Sequence, residues 1–310
     1  MTTPVNILVL GASYGLLPGT KLALAGHCVT FVARADEIAA ITQTGIAIHI
    51  TPRRDGGEIV LAAPVAERAA PGEVALRVPD AVDLSGVQIV ILAMQEPQYQ
   101  DGAVAALMQR IAAARLPVLS IMNLAPPPFL ARLGLTDRSA FQHVYSSGEV
   151  WDAFEPGKFT LASPDPQAVR PDAAIPGRLQ VTLPSNFKAA PFALAEDQAL
   201  LLQLAGDMSR LTVTVDGAQK RPPVALIASG SLFVSLAKWP MLLAGNCRCV
   251  LPSGARTIAD AVLSDLEATS EIYQQVTQLT VALGAREQDL VPFESYTKAA
   301  AQLTRPSSLA

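Results

Sequence analysis

One stretch near the start of the chain, residues 6–34, constrains the fold more than any other. It reads NILVLGASYGLLPGTKLALAGHCVTFVAR. The apolar run from Ile7 to Leu10 ends at Gly11, as expected for a strand that is buried on both faces of a parallel sheet. A helix over about residues 19–25 and a β-branched run at residues 29–32 follow. The stretch therefore predicts the first strand–helix–strand unit of an α/β domain.

The turn between the first strand and the helix predicts a nucleotide site. Glycines let the backbone turn sharply, so that a pyrophosphate can approach the N-terminus of the next helix, where free N–H groups favour negative charge. The spacing is one residue shorter than G-x-G-x-x-G, and Ser13 replaces the second glycine. We expect Gly11, Ser13, Tyr14 and Gly15 to bind a dinucleotide. A glycine-punctuated unit that binds nothing is the alternative.

Arg34, which follows the second predicted strand, bears on the choice of cofactor. An acidic residue at this position would bind the ribose 2′-hydroxyl of NAD, whereas an arginine suits the 2′-phosphate of NADP. Asp36 and Glu37 follow closely and act against the arginine. The sequence thus predicts NADP as the cofactor, with Arg34 as a ligand of its 2′-phosphate.

Strands and helices continue to alternate along the chain. Predicted helices cover residues 36–44, 102–114 and 195–211, and predicted strands cover residues 47–50, 58–62, 87–93, 117–122 and 212–215. The region rich in proline, glycine and serine at residues 141–190 predicts an antiparallel extension of the sheet, with strands at 158–162 and 179–183. The expected fold is α/β, with a Rossmann-type doubly wound parallel sheet.

The character of the chain changes after Gly217. Residues 224–303 show a helical pattern that is interrupted at prolines and glycines. The sequence therefore predicts two domains, a dinucleotide-binding Rossmann-like domain over residues 1–217 and an all-helical C-terminal domain over residues 218–310. Apolar residues of the second domain, among them Leu232, Phe233, Val234 and Leu236, predict a homodimer surface.

Two amide side chains follow later strands of the predicted sheet. In a doubly wound sheet, ligands bind beyond the carboxyl ends of the strands. Gln95 lies after the strand at residues 87–93, and Asn123 lies after the strand at residues 117–122. The amide of Asn123 can donate to and accept from a ribose or a substrate. We expect both residues at the cofactor site, with a turn-forming role for Asn123 as the alternative.

Composition narrows the classes of partner. With a net charge of −4 over 310 residues, the chain has no electrostatic footprint for nucleic acid. The first residues lack the basic and apolar regions of a signal peptide, and no apolar stretch reaches the length of a membrane span. The 3 cysteines lack zinc spacing. We expect a cytoplasmic protein that binds a small molecule and holds no metal.

The order of several motifs resembles that of the ketopantoate reductase (PanE/ApbA) family over essentially the whole chain. The matching pieces are VLGASYG, IVILAMQEPQ, LSIMN, KWPMLLAGNC, EIYQQVTQLTVALG and RPSSL. The resemblance implies a Rossmann domain followed by a helical domain, with NADPH and a 2-oxo acid in the cleft between them. It also implies hydride transfer from the nicotinamide to a carbonyl, with a lysine as general acid and with asparagine and serine side chains holding the substrate.

Several residues match this resemblance. Asn123 falls where the family has its asparagine after a strand, and Asn246 falls at a substrate-binding asparagine. Ser307 and Ser308 match a late serine pair. Gln95 departs from the family, because it stands where the family has a lysine.

The position of the catalytic lysine also departs from the family. The family's lysine lies one helical turn before the asparagine, and Leu242 occupies that place here. A leucine can neither protonate an alkoxide nor polarise a carbonyl. Lys238, eight residues before Asn246, is the candidate replacement. The alternative is a surface lysine at the start of a helix.

The expected activity is that of an NADP-dependent reductase of a 2-oxo acid or a related carbonyl compound. Lys238 and Asn246 would be catalytic, and Asn246, Ser307 and Ser308 would bind the substrate. Two alternatives stay open. One is a non-catalytic homologue that binds a dinucleotide or another ligand, which the missing lysine favours. The other is an opine-type dehydrogenase that acts on an imine, because such enzymes share the two-domain plan.

Overall fold

The computed structural model describes residues 3–51, 57–163, 168–182 and 185–307. By the density of its internal contacts the chain divides into two compact units, Met1–Ala228 and Ser229–Ala310. The division therefore follows residue 228, whereas the sequence placed a domain boundary after residue 217. The eleven intervening residues include two strands that belong to the first unit.

The first unit contains fourteen described strands and five described α-helices. The strands are β1 (Asn6–Leu10), β2 (Cys28–Val32), β3 (Ala47–Ile50), β4 (Ile59–Leu61), β5 (Val74–Arg77), β6 (Ile89–Leu92), β7 (Val118–Ile121), β8 (Phe159–Ala162), β9 (Ala168–Val169), β10 (Arg178–Val181), β11 (Ser185–Ala189), β12 (Val213–Val215), β13 (Ala218–Lys220) and β14 (Val224–Ala228). The helices are α1 (Leu16–Leu24), α2 (Ala35–Thr44), α3 (Gly102–Ala113), α4 (Pro127–Arg132) and α5 (Ala195–Arg210).

Short 3₁₀ helices connect these elements. Those of the first unit are Pro79–Ala81, Glu96–Gln100, Arg138–Ala140, Gln142–Val144, Gly148–Ala153 and Pro156–Lys158.

The main sheet has eight strands in the order β14-β11-β8-β7-β6-β1-β2-β5. Strands β5, β2, β1, β6, β7 and β8 run parallel to one another. Every residue of β6, β7 and β8 is buried, because helices or loops cover both faces of the sheet. Along the chain, β2 and then β5 are added on one side of β1. The chain then crosses to β6, which pairs with the other side of β1. This reversal confirms the predicted doubly wound α/β sheet.

Tight packing joins α1 to the sheet. A Cβ at Gly19 would lie 2.5 Å from the ring of Phe31 on β2, so only glycine lets the helix approach this closely. The helix also contacts β14, although β14 is the strand at the opposite edge of the sheet from β5. A sheet that brings β14 back to α1 must be strongly curled. The buried side chains of α1, including Leu16, Leu17 and Leu22, form part of the resulting core.

Four details of the first unit differ from the sequence-based predictions. The strand at residues 158–162 was expected to be antiparallel, but β8 is parallel to β7. The connection through α4 returns the chain to the end of the sheet at which β7 begins. The strand at residues 179–183 was expected in the main sheet, but β10 lies in a separate four-stranded sheet of order β4-β3-β10-β9. The antiparallel pairing in the main sheet is between β8 and β11, a strand that the sequence did not predict.

The fourth difference concerns residues 224–228, which the sequence assigned to the helical region. They form β14, which pairs in parallel with β11. A short apolar run of this kind suits either a buried strand or a buried helix, and tertiary pairing decides between them.

The second unit is helical apart from one short hairpin. It contains a 3₁₀ helix at Leu236–Lys238, α6 (Trp239–Met241), a π-helical turn at Leu242–Asn246, a 3₁₀ helix at Cys247–Cys249, the hairpin of β15 (Val250–Leu251) and β16 (Gly254–Ala255), α7 (Ile258–Leu263), α8 (Leu266–Ala282), a 3₁₀ helix at Glu287–Asp289 and α9 (Phe293–Ala300). The predicted helical C-terminal region is thus confirmed.

Side-chain caps and a small core hold the second unit together. The side chains of Thr257 and Asp265 accept hydrogen bonds from the first turns of α7 and α8. Tyr273 and Tyr296 stack with ring centroids 5.4 Å apart within the core. Leu236, one of the residues expected at a dimer surface, is fully buried and cannot contact a partner. None of the described helices combines the length and the hydropathy needed to cross a bilayer.

Candidate functional site

The carboxyl ends of β1, β2 and β6 lie side by side, because these strands pair in register. Leu10 is opposite Val32 on one side and Leu92 on the other. The N–H of Gly11 donates to the carbonyl of Val32 at 3.0 Å, and the N–H of Ala93 donates to the carbonyl of Leu10 at 2.9 Å. The turn after β1 therefore starts at the point where the strand order reverses, which is where ligands bind in open α/β sheets.

The glycines of this turn are required by the packing within the protein, because neighbouring atoms leave no room for a side chain. Gly11 has a φ of +109°, and a Cβ there would lie 2.7 Å from the carbonyl oxygen of Ala93 and from Cγ of Met94. A Cβ at Gly15 would collide with the carbonyl oxygen of Gly11 and would lie 2.5 Å from Val9. These contacts explain both glycines without a ligand, so their predicted role toward a pyrophosphate stays a prediction.

The N-terminus of α1 has an electrostatic character that suits an anion. Gly15 is its N-cap residue, and no side chain caps the helix there. The first turn contains no acidic residue. Ser13 is exposed in the preceding turn, while Tyr14 packs partly against the core. The partial positive charge at this helix end is therefore not offset by a local carboxylate.

Arg34 lies immediately after β2, as predicted, but two carboxylates surround its guanidinium. Its Nε donates to Oδ1 of Asp36 at 3.2 Å, and its Nη2 lies 3.8 Å from Oε1 of Glu37. The hydrogen bond from Arg34 lowers the pKa of Asp36, and the pKa of Arg34 is raised by the same contact. The side chain of Arg34 is 72% exposed. The arginine is thus available to a ligand but is already paired.

A second arginine at this place was missed by the sequence analysis. Nη2 of Arg170 donates to the carbonyl oxygen of Ala12 in the glycine turn at 2.9 Å, and Nη1 donates to Oε1 of Glu37 at 2.9 Å. Arg170 follows β9 in the small sheet and is 158 residues from Ala12 along the chain. No local pattern in the sequence could have indicated this contact.

Gln95 has a structural role in this molecule. It is the N-cap residue of the 3₁₀ helix Glu96–Gln100, where Gln95 and Gln98 cap each other's backbone N–H groups. The N–H of Gln95 donates to Oε1 of Gln98 at 2.8 Å. Gln95 lies after β6, where the sequence placed it, but its side chain takes part in the cap. Its predicted contact with a cofactor stays a prediction.

The neighbouring Glu96 was also missed by the sequence analysis. Its side chain is buried and accepts hydrogen bonds from the N–H groups of Ser146 at 2.9 Å and Ser147 at 2.8 Å. Nε1 of Trp151 lies 3.4 Å from the same carboxylate. Trp151 in turn packs against Tyr99 with ring centroids 5.1 Å apart. Glu96 thereby fixes the loop after β6 to the segment that precedes β8.

Asn123 is exposed at the start of the loop that follows β7. The same loop is anchored two residues later, where the hydroxyl of Tyr145 donates to the carbonyl of Ala125 at 2.5 Å. Burial raises the pKa of Tyr145, so this hydroxyl stays a donor. Asn123 therefore lies beyond the end of β7, as predicted, on a loop that the hydrogen bond from Tyr145 anchors.

Two of the residues predicted to bind the substrate lie together in the second unit. The hydroxyl of Ser307 donates to the backbone carbonyl of Asn246 at 2.8 Å, although the two residues are 61 positions apart. Ser308 lies outside the described residues. Lys238 is half-buried at the end of a 3₁₀ helix. Leu242 begins the π-helical turn that Asn246 ends.

The π-helical turn changes how Lys238 and Asn246 are related around the helix axis. In a regular α-helix, residues eight apart are offset by about 80°. A π turn contains one additional residue, so eight residues take up the rotation of about seven and the offset falls to about 20°. For ideal helix angles, this brings the position of Lys238 nearer to the face of the helix that carries Asn246.

A tyrosine packs against this turn. The hydroxyl of Tyr296 donates to the carbonyl of Met241 at 3.2 Å. A Cβ at Gly245 would collide with the same hydroxyl and would lie 3.0 Å from Val262. Gly245 thus lets the π turn approach α9 and α7. Among the described residues, no cluster of three or more histidine, cysteine or acidic side chains could hold a metal ion.

The parallel sheet, its reversal between β1 and β6 and the glycine turn at that point define the first unit as a Rossmann-type fold. Residues 7–125 of the chain match the family model described as ketopantoate reductase PanE/ApbA. This match confirms the resemblance that the sequence motifs indicated, over the part that contains the glycine turn and the first parallel strands. The comparison with curated proteins finds no match.

Solved structures extend the similarity of fold beyond the matched residues. A 2-dehydropantoate 2-reductase from Methylococcus capsulatus is 17% identical, with coverage of 96% of this chain and 79% of that chain and a TM-score of 0.60. A PanE/ApbA family ketopantoate reductase from Ralstonia eutropha JMP134 is 18% identical, with coverage of 98% and 83% and a TM-score of 0.57. A D-mandelate dehydrogenase with NADH and anilino(oxo)acetate is 14% identical, with coverage of 96% and 79% and a TM-score of 0.56. The chain therefore shares the ketopantoate reductase-like fold.

Proposed function

We propose that this protein is an NADP-dependent oxidoreductase that reduces a 2-oxo acid or a related carbonyl compound by hydride transfer. The observation that carries the proposal is the glycine turn at the strand-order reversal, which leads into the uncapped N-terminus of α1. The D-mandelate dehydrogenase structure contains NADH and anilino(oxo)acetate, an amide whose carbonyl stands next to a carboxylate, as the carbonyl of a 2-oxo acid does. Its likeness in fold supports the same class of reaction here.

The cofactor would be held by the ends of three strands. The pyrophosphate would lie at the turn from Gly11 to Gly15, where backbone N–H groups and the helix dipole attract negative charge. Arg34 would face the 2′-phosphate of the adenosine ribose, and Asn123 would hydrogen bond to the nicotinamide half. The nicotinamide, when bound, supplies the hydride. NADP rather than NAD is proposed because Arg34 is exposed and follows the carboxyl end of β2.

The second unit would supply the substrate contacts and the proton. Asn246 would hold the substrate oxygen through its amide, with Ser307 buried against the backbone of the same residue. Lys238 would donate the proton to the developing alkoxide, because an ammonium group is a general acid and Leu242 is not. The π-helical turn supports this assignment, since for ideal helix angles it brings the position of Lys238 nearer to the face of the helix that carries Asn246.

A second candidate function is nucleotide binding without reduction. Leu242 favours it, because an apolar side chain stands where the resemblance implies the proton donor. In that case the nucleotide would bind, but no carbonyl compound would be reduced. Both functions predict that the nucleotide binds, but only the first predicts that a carbonyl compound is reduced.

The test combines binding and turnover on the full chain. Calorimetric titration should show NADPH bound more tightly than NADH, with Arg34→Gln weakening NADPH about tenfold through the loss of a charge-assisted contact. Arg115→Gln is the matched control, because Arg115 is exposed and precedes β7, at the amino ends of the parallel strands, whereas Arg34 lies at their carboxyl ends. If neither nucleotide binds at millimolar concentration, the proposed function is wrong.

Turnover should then be measured by NADPH oxidation with a panel of 2-oxo acids. Lys238→Met should lower kcat by at least about 10²-fold, the usual contribution of a general acid. Lys298→Met, an exposed lysine on α9, is the control and should keep the wild-type rate. NADPH binding without any oxidation would support the non-catalytic alternative, and an unchanged rate in Lys238→Met would exclude Lys238 as the proton donor.

A further inference from the structure

Four charged side chains meet beyond the end of β2, and a single carboxylate oxygen joins the two positive ones. Oε1 of Glu37 accepts a hydrogen bond from Nη1 of Arg170 at 2.9 Å and lies 3.8 Å from Nη2 of Arg34. Asp36 completes the group through its contact with Arg34. Glu37 is therefore the carboxylate that both arginines share.

The two arginines differ in their surroundings. The side chains of Arg34 and Asp36 are 72% and 73% exposed, so water and salt weaken their interaction. The side chains of Arg170 and Glu37 are 23% and 15% exposed, so their pair is screened less. The ion pair of Arg170 with Glu37 is therefore the stronger of the two pairs.

Arg170 also spans the place where the ribose of a dinucleotide lies in a Rossmann-type fold. Its Nη2 donates to the carbonyl of Ala12, in the turn after β1, while its Nη1 donates to Glu37, on the helix after β2. In such folds the residue that reads the ribose 2′-position lies at this end of β2. The Nε of Arg170 is shielded from solvent and has no hydrogen-bond partner among the described residues.

Arg170 and Glu37 favour different groups at the ribose 2′-position. A 2′-phosphate is an anion with several acceptor oxygens, and it competes with Glu37 for the same guanidinium. A 2′-hydroxyl can donate to Glu37 and leaves the ion pair intact. Glu37 therefore opposes a phosphate and supports a hydroxyl, whereas Arg170 does the reverse.

We propose that Arg170 and Glu37 together set the preference of this site between NADP and NAD, with Arg170 as a ligand of the 2′-phosphate and Glu37 as its competitor. The inference rests on the proposed function, because it concerns the same nucleotide site. It assigns the discrimination to a side chain from the small sheet, in addition to Arg34.

The test is calorimetric titration of the full chain with NADPH and with NADH at one fixed ionic strength. Arg170→Gln should weaken NADPH binding about tenfold, as expected for the loss of a charge-assisted hydrogen bond, and change NADH binding less than about threefold. Glu37→Gln should tighten NADPH binding by about threefold to tenfold and weaken NADH binding, since the released arginines meet the phosphate and the hydroxyl loses its acceptor. The two substitutions should move the ratio of the dissociation constants in opposite directions.

Two residues of the small sheet supply matched controls. Arg178 on β10 and Glu58 beside β4 both contact His49 and lie outside the group around Glu37. Arg178→Gln and Glu58→Gln should leave both dissociation constants unchanged. A gain of NADPH affinity in Glu37→Gln cannot result from misfolding, so this variant keeps the test valid even if Arg170→Gln folds poorly.

Titration with adenosine 2′,5′-bisphosphate and with adenosine 5′-monophosphate isolates the phosphate that is being read. Only the bisphosphate should lose affinity in Arg170→Gln. Equal losses for both compounds, or an unchanged preference in Glu37→Gln, would overturn the proposal and leave Arg170 as a support for the glycine turn through Ala12. If the wild-type chain binds neither dinucleotide, the proposed function fails together with this inference. That result differs from the outcomes above, in which the dinucleotides bind and only this inference fails.

Discussion

Lys21 is the buried cation of α1, with a side chain that is only 2% exposed. Its ammonium group donates to the carbonyls of Pro222 and Val224, which joins the first helix to the region of β14. Burial lowers the pKa of Lys21 from 10.5 to about 8. A group whose pKa is lower in the folded than in the unfolded state binds fewer protons when folded, so its charge costs stability below the folded pKa.

The pH dependence of stability should report this burial. Below about pH 8 the cost of the charged lysine is fully present, and between about pH 8 and pH 10.5 it is relieved as the folded state deprotonates first. Relative to Lys21→Met, the free energy of unfolding of the wild type should rise by about 1 kcal/mol per pH unit over this range. Urea titrations at pH 7.5, 9 and 10 measure the difference.

The matched control for this prediction is Lys188→Met, since Lys188 is an exposed lysine on β11. This variant removes a lysine without removing a buried cation, so the pH dependence found for Lys21→Met is read against it. A flat difference for Lys21→Met would mean that the two carbonyls compensate for the lost hydration and hold its pKa near the usual value.

At the scale of an element, the π-helical turn at Leu242–Asn246 depends on Gly245. The hydroxyl of Tyr296 occupies the place where a Cβ at this position would lie. Tyr296 is buried and stacked on Tyr273, so it cannot move aside freely. Gly245→Ala should therefore destabilise the protein by about 1 to 3 kcal/mol, the usual cost of overpacking. Thermal unfolding followed by circular dichroism measures this change.

A double-mutant cycle separates the clash with the Tyr296 hydroxyl from the other effects of the added methyl group. Tyr296→Phe removes the colliding hydroxyl, so Gly245→Ala should cost less in that background. Gly230→Ala is the control, because a Cβ at Gly230 meets no atom within 4 Å. Equal costs of Gly245→Ala in both backgrounds would contradict the proposed clash.

At the scale of the whole molecule, the chain has 2 tryptophans, one in each compact unit. Trp151 is buried in the first unit, and Trp239 lies in the second. In a Trp239→Phe variant the remaining fluorescence reports the unfolding of the first unit alone. NADPH at about 100 times its dissociation constant should stabilise this unit by about 2.7 kcal/mol, because the folded state binds it and the unfolded state does not.

Urea unfolding of that variant, with and without NADPH, measures the shift. Nicotinamide mononucleotide at the same concentration lacks the adenosine half and should give a smaller shift, since the contacts at Arg34 are then unused. If NADPH does not shift the urea midpoint of the transition that Trp151 reports, the first unit has no nucleotide site.

The sequence by itself determined the elements whose signals are local. The apolar runs of β1 and β6 and the glycine turn between β1 and α1 are patterns of a few adjacent residues, and the structure places strands and a turn there. The alternation of such elements was enough to predict the doubly wound sheet. The motif order likewise indicated the family that residues 7–125 match.

Only the tertiary structure decided the contacts between residues that are distant along the chain. Strand β14 is a strand because β11 pairs with it, although its residues also fit a helical pattern. Arg170 reaches Ala12 across 158 residues, and the packing of Tyr296 on Gly245 belongs to a π turn that no sequence pattern marks. Local preferences differ by amounts of about 1 kcal/mol per residue, so long-range pairing and packing override them. For this reason the strand ends could be predicted, but the side chains gathered around them could not.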